Sequence, residues 1–100
     1  MPAVARKNGS DTIATNHGCD STTVTSEGSS DVFINNIGAV RAGDLCEVHT
    51  VPSGPVCVPH IVSLTSFSST VFVNNKGVGR LGDEYSGHTI TSGSGNVFAG

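Results

Sequence analysis

An internal repeat constrains this chain more than any other feature. Asp31-Val-Phe-Ile-Asn-Asn-Ile-Gly-Ala-Val-Arg-Ala-Gly-Asp44 aligns without gaps on Thr70-Val-Phe-Val-Asn-Asn-Lys-Gly-Val-Gly-Arg-Leu-Gly-Asp83, with eight of fourteen positions identical at an offset of 39. The first half recurs at the end as Asn96-Val97-Phe98-Ala99-Gly100, and a degenerate second half opens the sequence as Ala3-Val4-Ala5-Arg6, leading to Asp11. Residues 1–100 therefore read as one domain of three circularly offset units. In each full copy Val-Phe-Ile/Val is a short strand, Asn-Asn-x-Gly is a tight turn whose Asn and Gly accept positive φ, and the apolar pair before Arg is the returning strand. A lone hairpin is marginal in water, so three of them are expected to pack around a common axis and bury Phe33, Phe72 and Phe98. The competing expectation leaves part of that apolar set on a flat face awaiting a partner.

Composition removes the helical alternatives. Ala, Leu, Met, Glu, Lys and Arg together supply 18 residues and Gln is absent, whereas Val, Ser, Gly and Thr number 13, 13, 13 and 10, so no window favours a helix. The fold class is all-β, a small pseudo-threefold body of short hairpins with little or no helix. Val, Ile, Leu and Phe sum to 25 of 100 residues, enough to order the chain around a thin core. A domain so small is expected to supplement its core with a metal, a disulfide or a partner. Net charge is −3 and Arg6, Arg41 and Arg80 lie far apart, which excludes the basic patch of a nucleic-acid binder. Cys19, Cys46 and Cys57 cannot all pair within one chain, so a disulfide framework is not expected. Neither a leader peptide nor a run long enough to span a bilayer is evident, and assembly in a cytoplasm is expected.

The repeat also places the histidines. Asp11 precedes His17 by six residues, Asp44 precedes His49 by five and Asp83 precedes His88 by five. Equivalent positions around one axis converge, and three converging imidazoles begin a tetrahedral Zn²⁺ site. His60 or Cys57, both in the longest variable stretch, would supply the fourth ligand of a closed, structural site whose binding energy is folding energy. Cys19, beside His17, reads as a supporting or packing residue, and Cys46 as a small buried hydrophobe. Catalysis finds little support, because Asp44 and Asp83 sit in the repeated turn as caps of their own backbone and four imidazoles favour closure over an open position. The chain is therefore not expected to be an enzyme or to take a small-molecule substrate.

Gly28-Ser-Ser-Asp-Val-Phe-Ile-Asn-Asn36 with Ala39-Val-Arg-Ala-Gly-Asp44, Ser68-Ser-Thr-Val-Phe-Val-Asn-Asn75 with Val78-Gly-Arg-Leu-Gly-Asp83, and Ser92-Gly-Ser-Gly-Asn-Val-Phe-Ala-Gly100, preceded by Pro2-Ala-Val-Ala-Arg6 and His17-Gly-Cys19, together resemble the PAAR-repeat proteins that tip contractile injection machines. The eponymous Pro-Ala-Ala-Arg turn is rendered as Gly38-Ala-Val-Arg41 and Gly77-Val-Gly-Arg80, which marks a divergent member. The resemblance implies a small cone with one structural Zn²⁺ near its apex, and a broad base seated, one copy per trimer, on a trimeric β-helical spike. His17, His49 and His60 match family ligands, and His88 falls near a place where relatives often carry cysteine, so the implied set is four histidines, or three with Cys57 replacing one. The repeated His-x-His of iron-bearing tips is absent, which favours zinc. The implied function is a metal-stabilised tip at the end of a phage tail or type VI-like machine, touching the target envelope transiently. A small zinc-binding surface-recognition or adhesin module is the alternative.

Overall fold

The computed structural model describes residues 1–100 and contains only strands, turns and loops. No helix is long and apolar enough to cross a membrane. Ten short strands occur in chain order: β1 Thr12–Ala14, β2 Thr22–Val24, β3 Phe33–Ile34, β4 Ile37–Gly38, β5 His49–Ser53, β6 Val56–His60, β7 Phe72–Val73, β8 Lys76–Gly77, β9 Glu84–Tyr85 and β10 His88–Ile90. One four-stranded sheet has the order β2-β1-β10-β9, and β3-β4, β5-β6 and β7-β8 are separate hairpins, all antiparallel.

The repeated hairpins form as their turn chemistry dictates. Asn35 and Asn36 have φ of 55° and 68°, and Asn74 and Asn75 have 53° and 65°, so each pair occupies both central positions of a left-handed two-residue turn. The registers match: Phe33 faces Gly38 and Phe72 faces Gly77. At the third equivalent place Phe98 bridges Ala3, so the first and last segments of the chain together make the third hairpin.

A closed triangle of backbone hydrogen bonds ties these units about one axis. The Ala5 N–H donates to the Gly79 carbonyl, Gly79 to Val40 and Val40 to Ala5, at 2.9, 2.8 and 3.0 Å. Around it, Val4 donates to Val97, Ala39 to Val32 and Val78 to Val71, again three equivalent bonds. Arg6, Arg41 and Arg80 each bind the carboxylate of their own unit, Asp11, Asp44 and Asp83, with Nε–Oδ2 distances of 3.1, 3.0 and 2.8 Å. The same carboxylate oxygen accepts the backbone N–H of its arginine. The aspartates thus cap backbone, as their turn position suggests, and in addition hold an ion pair that the turn position does not announce. Units then interlock sideways: Arg6 Nη1 donates to Asn35 and Arg41 Nη1 to Asn74, while Ser94 and Ser29 donate to those same amide oxygens. In the third unit Ser68 donates to the Gly100 carbonyl, at the place of the missing asparagine.

Two apolar clusters follow along the axis. Val4, Ala39, Val73, Val78 and Ala99 form the first, with Val32, Ile34 and Val97 against it. Ala5, Ile13, Val40, Cys46, Leu64, Tyr85 and Ile90 form the second, which adjoins the histidines. Phe33, Phe72 and Phe98 lie outside both and are 56, 59 and 50 % exposed. The expectation that they fill the core is therefore corrected. Strand alternation is the reason: Val32 and Ile34 pack inward, so Phe33 between them points away. The molecule measures 42 × 23 × 23 Å.

Candidate metal centre

His17 lies in the loop between β1 and β2, His49 opens β5, His60 closes β6 and His88 opens β10. His49 faces His60 directly across the β5–β6 ladder. All four rings come together, each presenting one nitrogen, and these nitrogens all lie within 4.8 Å of one another. His17 Nε2 is 3.0 Å from His88 Nε2, which is 3.2 Å from His49 Nε2, which in turn is 3.2 Å from His60 Nδ1. A tetrahedral ion with bonds of about 2.0–2.1 Å sets its ligand nitrogens roughly 3.3–3.4 Å apart, and these three consecutive separations come close to that.

Backbone carbonyls decide which atoms are free to bind. A carbonyl only accepts, so the His17 Nδ1–H donates to Gly18, the His49 Nδ1–H to Glu47 and the His88 Nδ1–H to Ser86, at 2.8, 3.1 and 3.3 Å. In the neutral rings those three Nε2 atoms then carry lone pairs and no proton. Lone pairs 3.0 and 3.2 Å apart repel unless a cation stands between them. A second nitrogen anchored on a carbonyl is also how metal-bound imidazoles are usually oriented. The four histidines can hold a metal ion.

Protonation is resisted at His60 and His88. Burial, followed by the neighbouring imidazoles His49 and His17, holds His60 below the ordinary imidazole range. Burial also lowers His88, partly offset by the Ser86 carbonyl and reinforced by the other three rings. Cys46 is fully buried under the site, and its sulfur lies 3.9 Å from His49 Nδ1, on the side of the ring away from the converging lone pairs. Burial pushes its thiol up, which keeps it a neutral packing group as its sequence context suggests. Beside it, the Tyr85 hydroxyl is buried without a hydrogen-bond partner, and burial raises that phenol as well.

Cys19 and Cys57 form a disulfide, contrary to the expectation from an odd cysteine count. Three cysteines forbid complete pairing but allow one bridge with Cys46 left over in the core. Cys57 is thereby tied up as a disulfide, and His60 takes the fourth place in the cluster. The signal available in the sequence was positional: each of these cysteines flanks a histidine of the cluster, in His17-Gly-Cys19 and in Cys57-Val-Pro-His60. Asp20, which the sequence did not single out, accepts from both the backbone N–H and the hydroxyl of Thr50 at 2.8 Å. These bonds hold its carboxyl below the usual range.

The family described as PAAR motif matches residues 20–86. The chain belongs to the PAAR motif family. That match takes in both complete repeats, the β5–β6 hairpin and three of the acidic residues of the turns and loops, Asp20, Asp44 and Asp83. Among curated proteins, none matches the chain. As a PAAR protein it keeps the repeated Arg-x-Gly-Asp turns, in which Gly43 and Gly82 have φ of 83° and 91°, values that a side chain would strain.

Proposed function

We propose that residues 1–100 form a single PAAR domain of three repeats that caps the trimeric β-helical spike of a contractile injection machine, with one copy per trimer. The observation that carries this reading is the triangle of backbone bonds joining Ala5, Gly79 and Val40, with the interlocks repeated around it. A single chain with internal threefold character can make equivalent contacts with all three chains of a trimer at once, which an asymmetric domain cannot. Phe33, Phe72 and Phe98, exposed at equivalent places in the three units, supply an apolar contact for each spike chain. The role is structural and not enzymatic.

One Zn²⁺ held by His17, His49, His60 and His88 would stiffen the far end of the molecule. There β5 and β6 pair with each other and with no other strand, so little packing restrains them. A four-nitrogen set is closed, consistent with a structural ion rather than one that activates water. No Asp, Glu, Lys or Arg occurs between Glu47 and Lys76, a stretch that includes the whole hairpin. The hairpin's own side chains therefore add no formal charge to the desolvation cost of entering a lipid envelope.

Co-expression with a trimeric β-helical spike protein from the same source, followed by native mass spectrometry, tests the assembly. One copy per spike trimer is expected. Three copies per trimer would make the chain a conventional subunit and overturn the adapter reading.

A further inference from the structure

The disulfide joins the two least anchored parts of the histidine cluster. His49 and His88 are buried and start strands, whereas His17 and His60 are only partly buried, His17 on a loop and His60 at the last position of β6. Cys19, two residues beyond His17, is bonded to Cys57, three residues before His60. The same loop is fastened at two further points. The Asp20 N–H donates to the Thr50 carbonyl while the Asp20 carboxylate takes the Thr50 N–H and hydroxyl, and Gly18 approaches Pro52 so closely that a Cβ there would come within 3.2 Å of the proline Cγ. Along the ladder, Thr50 and Pro52 share a face with Cys57, opposite to the face that carries His49 and His60. The loop is thus strapped to the back of the strand pair whose front presents two imidazoles.

The loop would not hold this shape by itself. Asn16 and Cys19 have φ of 64° and 66°, a left-handed conformation that persists when surrounding structure imposes it. Asn16 is held by the Gly87 carbonyl and Asp20 by Thr50, and at Cys19 the constraint is the covalent bond.

Resting on the reading that the four histidines bind a metal, we propose that Cys19 and Cys57 are positioning residues for that site. Their disulfide sets the place of His17 relative to His60, so cation affinity is coupled to the thiol–disulfide state of the pair. Reduction by a dithiol proceeds by thiolate attack on one sulfur, cleavage of the Cys19–Cys57 bond and displacement of the mixed disulfide by the second thiol of the reductant. Two electrons and two protons pass to the cysteines, and the dithiol leaves as a disulfide. The freed loop then samples conformations in which His17 is displaced, and the bound state must recover that lost order. Because coupling is reciprocal, the ratio of affinities in the two states equals the factor by which metal shifts the thiol–disulfide equilibrium.

The test uses the full chain, with Zn²⁺ and Co²⁺ as probes. Affinity is measured by competition with a chromophoric chelator for the oxidised protein, for the protein reduced with dithiothreitol, and for a Cys19→Ser/Cys57→Ser variant. The disulfide equilibrium is measured in dithiothreitol buffers with and without Zn²⁺. The oxidised protein is expected to bind at least about tenfold more tightly than either other form. Zn²⁺ should shift the equilibrium toward the disulfide by that same factor, and Asp20→Ala should weaken binding in the oxidised protein. Equal, measurable affinity in both redox states would overturn the coupling while leaving the metal reading intact. Tighter binding on reduction, with a sulfur-to-cobalt charge-transfer band, would also overturn it by making the thiols ligands. Global unfolding on reduction, seen as loss of the thermal transition, would reduce the bond to a structural crosslink. Absence of binding in every state would overturn the metal reading itself.

Discussion

The charged residues of this chain are few, and the structure concentrates the consequential ones in three carboxylates. Asp11 accepts the Arg6 N–H, its Nε and Nη2, and the Ser92 hydroxyl, at 2.7, 3.1, 3.1 and 2.9 Å, while fully buried. Asp83 makes the equivalent arginine contacts but its fourth partner, Ser66, is 3.5 Å away. Removing a buried acceptor strands its donors, so Asp11→Ala should cost about 3 kcal/mol and Asp83→Ala about 1–2 kcal/mol, measured by chemical denaturation. Equal costs would show that burial does not grade the pairs. The histidines act at the same scale through protons. His60 and His88 are held below the ordinary imidazole value, so the unfolded chain takes up protons before the folded one does. Their contribution is complete above about pH 6.5 and is lost as pH falls through that value toward the lowered folded values. Protons competing for a bound cation act in the same direction. The melting temperature should be level from about pH 8 to 7 and fall between about pH 6.5 and 5, and a level profile throughout would contradict this.

At the scale of elements, the repeated hairpins depend on absent side chains. A Cβ at Gly77 would strike the Ser68 carbonyl oxygen and the Phe67 ring, and one at Gly38 would strike the Ser29 carbonyl oxygen. Both obstacles include backbone, which cannot swing aside. Gly38→Ala and Gly77→Ala should each destabilise the fold by about 2 kcal/mol or more, read as a loss of melting temperature, in contrast to the gain that alanine often brings at unstrained glycines. The β5–β6 hairpin relies on other means. Its two strands carry five cross-strand pairs and no other strand flanks them, so the cluster around His49 and His60 and the Cys19–Cys57 bond supply its outside restraint. His49→Ala should therefore abolish stoichiometric zinc and lower stability further than Cys46→Ala, which trims a packing group and costs about 1–2 kcal/mol. Elemental analysis of untagged protein, with melting curves in a strong chelator, measures both. Zinc well below one per chain in the parent protein, with stability indifferent to chelation, would return the histidines to ordinary polar residues.

For the whole molecule, the exposed phenylalanines allow the proposed assembly to be tested apart from folding. Phe33, Phe72 and Phe98 stand outside both core clusters, so replacing all three with Ser removes little buried area. The triple variant should keep a melting temperature close to that of the parent, be more soluble at high concentration, and fail to cap the spike in a co-purification assay. Unfolding of the variant would restore these rings to the core, and undiminished capping would place the docking face elsewhere.

What the amino-acid order determined by itself is the local part of what repeats. The Asn-Asn turns, the strand pairs beside them, the all-β class and the spacing of His17, His49 and His88 were legible because local chemistry and a fixed offset specify them without distant contacts. Tertiary structure decided what depends on direction and on partners far along the chain. The facing of Phe33, Phe72 and Phe98 follows from which side of a two-residue strand meets the core, and a strand so short carries no periodic signal. Cys19 and Cys57, 38 residues apart, could be matched only once the loop lay against β5 and β6, and the choice of His60 over Cys57 came with that pairing. The free lone pairs of the cluster were fixed by the carbonyls of Gly18, Glu47 and Ser86, whose direction is a property of the folded backbone and of no residue type.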